Sequence, residues 1–301
     1  MSLTLLQIVQ QATGELGLSV PTSVVGNPNL DTIQQYYLLN GLGSELLRKD
    51  PWENISVPYI FTVSVSTITG NTTNGGSNLT NASSIAGIDT TYQVAGPGIN
   101  QATFVNSAPS GTTIPLSQPA TSNQTGQTYV LTKVKYAMPA GFDRQIDCTH
   151  WDKSKHWQML GPESPQQWEW LLSGYISTGP RIRYRIFQGY FQIWPAVGSA
   201  EVLGFEYISN YWANSSGGTQ QSSFLADSDT CIYPDRLMVI GLKHKYYSAK
   251  GLGDQYREEF ENELSEAKAN DKGSPTLAMA PQASGVLITW NNIPDSGYGQ
   301  S

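Results

Sequence analysis

The chain has 301 residues, with 17 Lys and Arg against 24 Asp and Glu and a net charge of −7. An acidic chain is a poor ligand for DNA phosphates, which need clustered cations, and two cysteines, Cys148 and Cys231, are too few for a disulfide framework. Charged residues are only 14%, against about 25% in an average soluble protein, as in a chain packed among copies of itself or in many β-rich secreted proteins. The first residues, Met-Ser-Leu-Thr-Leu-Leu-Gln, lack the basic start of a signal peptide, and no apolar run approaches membrane-spanning length. The expectation is a soluble protein made in a cytoplasm, with no membrane contact.

Leu5, Ile8, Val9, Ala12 and Leu16 recur at helical spacing, and Gly17 supplies a stop. Asp31 is the expected N-cap of a second helix with Ile33, Tyr37, Leu38, Gly41, Leu42 and Leu46 on one face, ended by Pro51. Two short amphipathic helices must pack on something later in the chain. Residues 55–66 read as a strand, with Tyr59, Phe61, Val63 and Val65 alternating with smaller or polar residues. A turn cluster at 70–77 and short strands at 91–94, 102–105 and 112–116 follow. Residues 127–136 return as a strand with Tyr129, Leu131, Lys133 and Lys135 on one side. Between Asn54 and Thr132 the one charged residue is Asp89. Short strands with regular turn signals argue for a small sandwich or barrel let into a host domain.

The host resumes at Phe142 with a strand, and Ser164-Pro165 caps a helix through Trp168, Leu171 and Leu172. Residues 181–195 predict a hairpin turned at Gln188-Gly189. Residues 200–209 are a third strand. Pro234 opens a helix through Leu237, Ile240 and Tyr247. A last helix carries Tyr256, Phe260, Leu264 and Ala267 inside and Glu258, Glu259, Glu261, Glu263 and Glu266 outside, with Arg257 and Glu261 as an i,i+4 pair. From Asp271 the chain is rich in Gly, Pro and Ser yet holds Val286, Leu287, Ile288, Trp290 and Ile293. That cluster either docks on a neighbouring subunit or another protein, for instance as an added strand, or returns to the chain's own core.

No motif names an activity. Cys148, His150 and His156 are close in sequence, but a zinc site wants a fourth ligand and a recognised spacing. His244, among Lys243, Lys245 and Tyr246, reads as a solvated or subunit-facing patch. Asp227 with Asp229, or Glu163 with Glu169, are the carboxylate pairs a hydrolase would use, though such pairs arise by chance. No nucleophile elbow is present, so no catalytic, metal or cofactor residues are assigned. Arg181, Arg183 and Arg185 alternate on one strand face and need counter-charge. They form a solvated face, meet the glutamate-rich last helix of a neighbour through Glu259, Glu263 and Glu266, or touch a nucleic-acid backbone. Asn-x-Ser/Thr triplets begin at Asn54, Asn71, Asn78, Asn81, Asn123 and Asn214, which the bias toward Asn, Ser and Thr explains.

The order of elements resembles the head-to-tail adaptor, or head-completion, proteins of short-tailed bacteriophages. The resemblance rests on two N-terminal helices ending near Asp50-Pro-Trp52, the hairpin RIRYRIFQGYFQIWPA (181–196) and the strand LGFEYISNYW (203–212). It continues in the loop with Asp227 and Asp229, the helix start at Pro234-Asp-Arg and the Tyr/Glu-rich last helix. SSIAGIDTTYQVAGPGI (83–99), ATFVNSA (102–108) and TIPLSQPAT (113–121) resemble a β module of phage virion proteins. The resemblance implies a non-enzymatic structural virion protein, a homo-dodecameric ring between portal protein and tail or nozzle proteins, with DNA passing through without specific binding. The expected architecture is α+β. A helical bundle packs on an antiparallel sheet (1–58 and 133–270), with an inserted all-β, sandwich- or barrel-like module (59–132) and an extended C-terminal docking tail (271–301). The alternative is a tail-decorating or host-carbohydrate-binding protein acting through the module, with Tyr92 stacking on sugars, or a cell-wall hydrolase.

Overall fold

A computed structural model describes residues 2–173 and 181–272. Its helices are α1 (Leu5–Glu15), α2 (Leu30–Lys49), α3 (Pro165–Leu172), α4 (Asp235–Ala249) and α5 (Arg257–Lys272). The strands up to residue 145 are β1 (Ser56–Thr62), β2 (Val65–Thr72), β3 (Asn78–Thr80), β4 (Tyr92–Ala95), β5 (Ile114–Pro115), β6 (Gln124–Lys133), β7 (Lys135–Ala137) and β8 (Phe142–Gln145). After them come β9 (Trp151–Asp152), β10 (Trp157–Gln158), β11 (Arg183–Phe187), β12 (Tyr190–Trp194), β13 (Val202–Ser209), β14 (Ala213–Asn214), β15 (Gln220–Gln221) and β16 (Thr230–Cys231). The chain is α+β with antiparallel sheets, and no sheet closes into a barrel among the described residues.

Two compact units result: residues 2–57, 140–145 and 207–272 form one, and residues 58–139, 146–173 and 181–206 the other. This division groups the 183–194 hairpin with residues 58–139, whereas the sequence reading groups it with the helices. Val286, Leu287, Ile288, Trp290 and Ile293 lie outside the described residues.

In the first unit α4 packs against α1, α2 and α5. Every residue from Leu237 to Lys243 is buried, so the helix is enclosed on all sides rather than along one stripe. Thr4 opens α1 through a reciprocal capping box with Gln7. Asn29, not Asp31, caps α2: its side chain accepts from the Asp31 N–H. Asp31 instead accepts from Tyr246 Oη at 2.9 Å and Lys250 Nζ at 3.2 Å. An aromatic plug closes the unit under α2. Trp212 meets Phe224 edge-on and stacks on Tyr233, and Trp52 Nε1 donates to the Leu46 carbonyl at 2.8 Å.

In the second unit a five-stranded antiparallel sheet runs β4-β6-β2-β3-β5. Its core is Ile68, Leu79, Val94, Ile114, Tyr129 and Leu131, with Tyr92 also buried. Two expected strands shrink: residues 102–105 make only bridges, Gln93 to Phe104 and Val105 to Leu116, and β5 is two residues long. β6 breaks at Val134, and buried positions pass from Tyr129 and Leu131 to Thr132, Val134 and Tyr136. A one-residue slip exchanges faces in this way. A second sheet, β11-β12-β7, is turned at Gln188 and Gly189, whose φ values of +51° and +76° suit the expected tight turn.

Two glycines of α2 give opposite expectations. A Cβ on Gly43 would stand 2.4 Å from the Trp212 indole, which is itself fully buried. Gly43→Ala should therefore cost about 1–3 kcal/mol of overpacking, read as a lower denaturant midpoint for the helical unit. Gly41 has nothing within 4 Å of the same position, so Gly41→Ala should raise that midpoint by about 0.5–1 kcal/mol.

Candidate functional site

The β11–β12 hairpin places its arginines by register. Arg183 lies opposite Trp194, Arg185 opposite Gln192 and Phe187 opposite Tyr190, so these six share one face. Arg181 precedes the strand. Arg183 is neutralised within the chain: its Nη1 is 2.6 Å from Glu163, whose side chain is only 7% exposed. The Arg185 guanidinium sits over the Phe187 ring, 4.4 Å from its centroid.

On α5, Phe260, Leu264 and Ala267 are buried. Glu259 and Glu263 lie 3.8 and 3.0 Å from Arg236 of the same chain, and Glu266 is exposed with no ion pair among the described residues. The Arg257–Glu261 pair forms at 2.9 Å. Such exposed pairs are each worth at most about 1 kcal/mol. The basic residues of α4 are not a solvated patch. Lys243 is buried against Glu15 at 2.7 Å, Lys245 pairs with Glu45, and His244 stacks on Phe260 with its Nδ1 buried. Burial, then Lys245 and Lys49, lower the His244 pKa.

Cys148, His150 and His156 do not form a set. Cys148 and His156 have φ of +64° and +57°, which breaks the strand alternation that would place Cys148 and His150 together. His150 is 1% exposed and stacks on Tyr184, with centroids 4.0 Å apart, and on Phe205 at 5.0 Å. Its Nδ1 is 3.1 Å from Tyr184 Oη, and its Nε2 is buried without a hydrogen-bond partner among the described residues. Burial pushes the His150 pKa down to about 4, with Asp147 opposing. Cys148 and His156 instead line an open groove of about 540 Å³ with Ile60, Trp151, Asp152 and Lys153. Among the described residues no group of three or more His, Cys, Asp or Glu side chains could hold a metal ion. Both cysteines are free thiols; Cys148 is exposed and Cys231 buried.

The groove's Asp152 is 3% exposed, as is Glu201. Asp152 Oδ1 accepts from the Ser154 and Lys155 N–H groups, while Lys155 Nζ lies 2.5 Å from Glu201. Burial, together with the neighbouring Glu201, raises the Asp152 pKa. Trp151 and Asp152 carried no sequence signal, because a two-residue strand is too short to show periodicity.

Three of the four carboxylates offered for hydrolysis are engaged elsewhere, and the fourth, Glu169, is exposed on α3. Asp227 accepts from the N–H groups of Val24 and Val25, Asp229 from those of Leu225 and Ala226, and Glu163 holds Arg183. Tyr92, the ring expected to stack on sugars, is 7% exposed in the core of its sheet. The chain matches no protein-family model and no curated protein.

Two pH responses follow, with opposite sign. A histidine with a lowered folded pKa is fully compatible with folding above its ordinary 6.5 and costs stability as pH falls from there toward about 4. His150→Phe should flatten the decline in unfolding midpoint across that window; an unchanged slope would exclude His150 as its source. Asp152, with a raised pKa, favours folding below its ordinary 3.8 and loses that contribution as pH rises through its raised value. Asp152→Asn keeps the Oδ1 acceptor and should stabilise the second unit at pH 7 but not at pH 3, as calorimetry would read.

Proposed function

We propose that the chain is a non-enzymatic subunit of a virion ring, a head-to-tail adaptor between portal protein and tail or nozzle proteins that surrounds the DNA channel. Residues 59–132 are the inserted module in this reading, and residues 271–301 dock on a neighbour or on the portal. The supporting observation is the outer face of α2. Leu30 is 81% exposed and Tyr37 68%, and Gly41 and Ser44 continue the same helical face without bulk. An apolar stripe that ends in small residues suits close packing of a helix from another copy. Leu225, at 62%, and Val20, at 52%, add exposed apolar surface in the same unit. The net charge of −7 fits a conduit that must not retain DNA phosphates. No helix among the described residues is long and apolar enough to cross a membrane.

The test is the mass of the full chain by light scattering, alone and with the portal protein of the same virus. A closed ring, a dodecamer with portal, is expected. Tyr37→Asp should prevent ring formation without moving the unfolding midpoint by more than about 0.5 kcal/mol, as befits an exposed position. A parent chain that stays monomeric and ignores the portal would overturn the reading.

A further inference from the structure

Separate stretches of the second unit meet over the outer face of β12. They line a cleft of about 370 Å³, among them Thr90, Phe104, Asn106, Lys135, Gln188, Tyr190 and Gln192. Register explains three of these residues. Gln192 pairs with Lys135 across β12 and β7, and Tyr190 is two residues along the strand, so these three side chains share a face. Phe191, between them, points the other way into the core, where it is fully buried.

The opposite wall is pinned. Phe104 packs against Ala102, Trp168, Leu171 and Trp194, and its N–H donates to Ser117 Oγ at 2.8 Å. The Asn106 N–H donates to the Pro115 carbonyl at 2.9 Å. A wall held in this way loses little freedom when a ligand settles on it.

The chemistry of the lining is specific. Thr90, Asn106, Gln188 and Gln192 line the cleft, and their side chains make no hydrogen bond to other described residues, so their hydroxyl and carboxamide groups are available to a ligand. Phe104 and Tyr190 supply aromatic surface, and Tyr190 is 39% exposed. Lys135, 5.4 Å from the Phe104 ring centroid, is the one charged side chain among the lining residues. Duplex DNA would need several clustered cations. An apolar ligand would leave the four polar side chains without partners. A polyol with a single negative charge uses all of them.

The geometry points to a saccharide-binding cleft on this unit, selective for an acidic sugar whose carboxylate pairs with Lys135. The hydroxyls exchange hydrogen bonds with Asn106, Gln188 and Gln192, and the C–H face of a sugar ring lies on Tyr190. This site goes beyond the adaptor reading and does not depend on it.

Calorimetric titration of the full chain with trigalacturonic acid, maltotriose and a hexathymidylate tests it. Trigalacturonic acid should bind more tightly than maltotriose. Lys135→Gln should weaken the acidic sugar roughly tenfold, as loss of one charge-assisted hydrogen bond does, and leave maltotriose unchanged. The double variant Tyr190→Ala, Asn106→Ala should abolish binding of the acidic sugar with an unaltered unfolding midpoint, since both side chains are exposed. Failure of both saccharides to bind, undiminished binding by the double variant, or tightest binding of hexathymidylate would overturn the assignment. Equal affinity of the parent for the two saccharides would overturn the acidic selectivity.

Discussion

The second unit depends on a stack of rings that admits no charge. Tyr184, His150, Phe205 and Phe191 lie nearly parallel with centroids 4.0 to 5.9 Å apart, and Phe61, Tyr59 and Tyr136 extend the cluster. Each aromatic ring of this kind removes on the order of 150–250 Å² from water. The rings come from β1, β7, β11, β12, β13 and the residue before β9, so one cluster fixes segments far apart in sequence. An imidazole is tolerated there only while neutral, which is why its environment drives the proton off. Because β12 alternates, Phe191 in the stack also determines where Tyr190 and Gln192 stand on the other side. The cleft floor is thus the reverse side of the strand that seats Phe191 in the core.

The helical unit is organised by enclosure of α4. Around this enclosed helix three lysines each meet an acid of another helix, while His244 stacks on Phe260. Lys243 meets Glu15 and lies 4.6 Å from the Tyr256 ring centroid, Lys245 meets Glu45, and Lys250 meets Asp31. The hydrogen bonds from Tyr246 and Lys250 hold the Asp31 pKa down. The low charge content of the chain takes on a different meaning here: much of its basic complement fastens helix to helix. The acidic excess appears on α5, where Glu258 and Glu266 stand exposed without an ion pair among the described residues.

Helices were the most legible part of the sequence, since their ends are written in local chemistry. Ser164 with Gln167 and Pro165 forms a capping box with proline at the first turn, and Gly17, with φ of +70°, follows the end of α1. The N-cap of α2 was misplaced by two residues, because Asn29 and Asp31 both have capping chemistry and it is the distant Tyr246, 215 residues away, together with Lys250, that claims Asp31. The slip at Val134 was hidden for a similar reason. Tyr129 to Lys135 alternates well enough to suggest one continuous strand, and the change of face arises from pairing with two different sheets. His150 read as a weak ligand because Cys-x-His implies a regular strand, which the left-handed conformation at Cys148 denies. The cleft has no linear signature at all: its residues lie between positions 90 and 192 and are brought together by tertiary packing.

The two thiols divide the molecule in a way that bears on how it can be watched. Cys148 belongs to the second unit and is open to solvent; Cys231 belongs to the helical unit, is buried, and has its pKa pushed up to about 12 by that burial. Only a thiolate reacts with an alkylating dye, so labelling of the native chain marks one unit and leaves the other dark. Slow modification of Cys231 then times the opening of the packing around it, and a fluorophore on Cys148 reports its own exposed surroundings without engineered cysteines. The natural sequence carries a separate reporter in each unit of the protein.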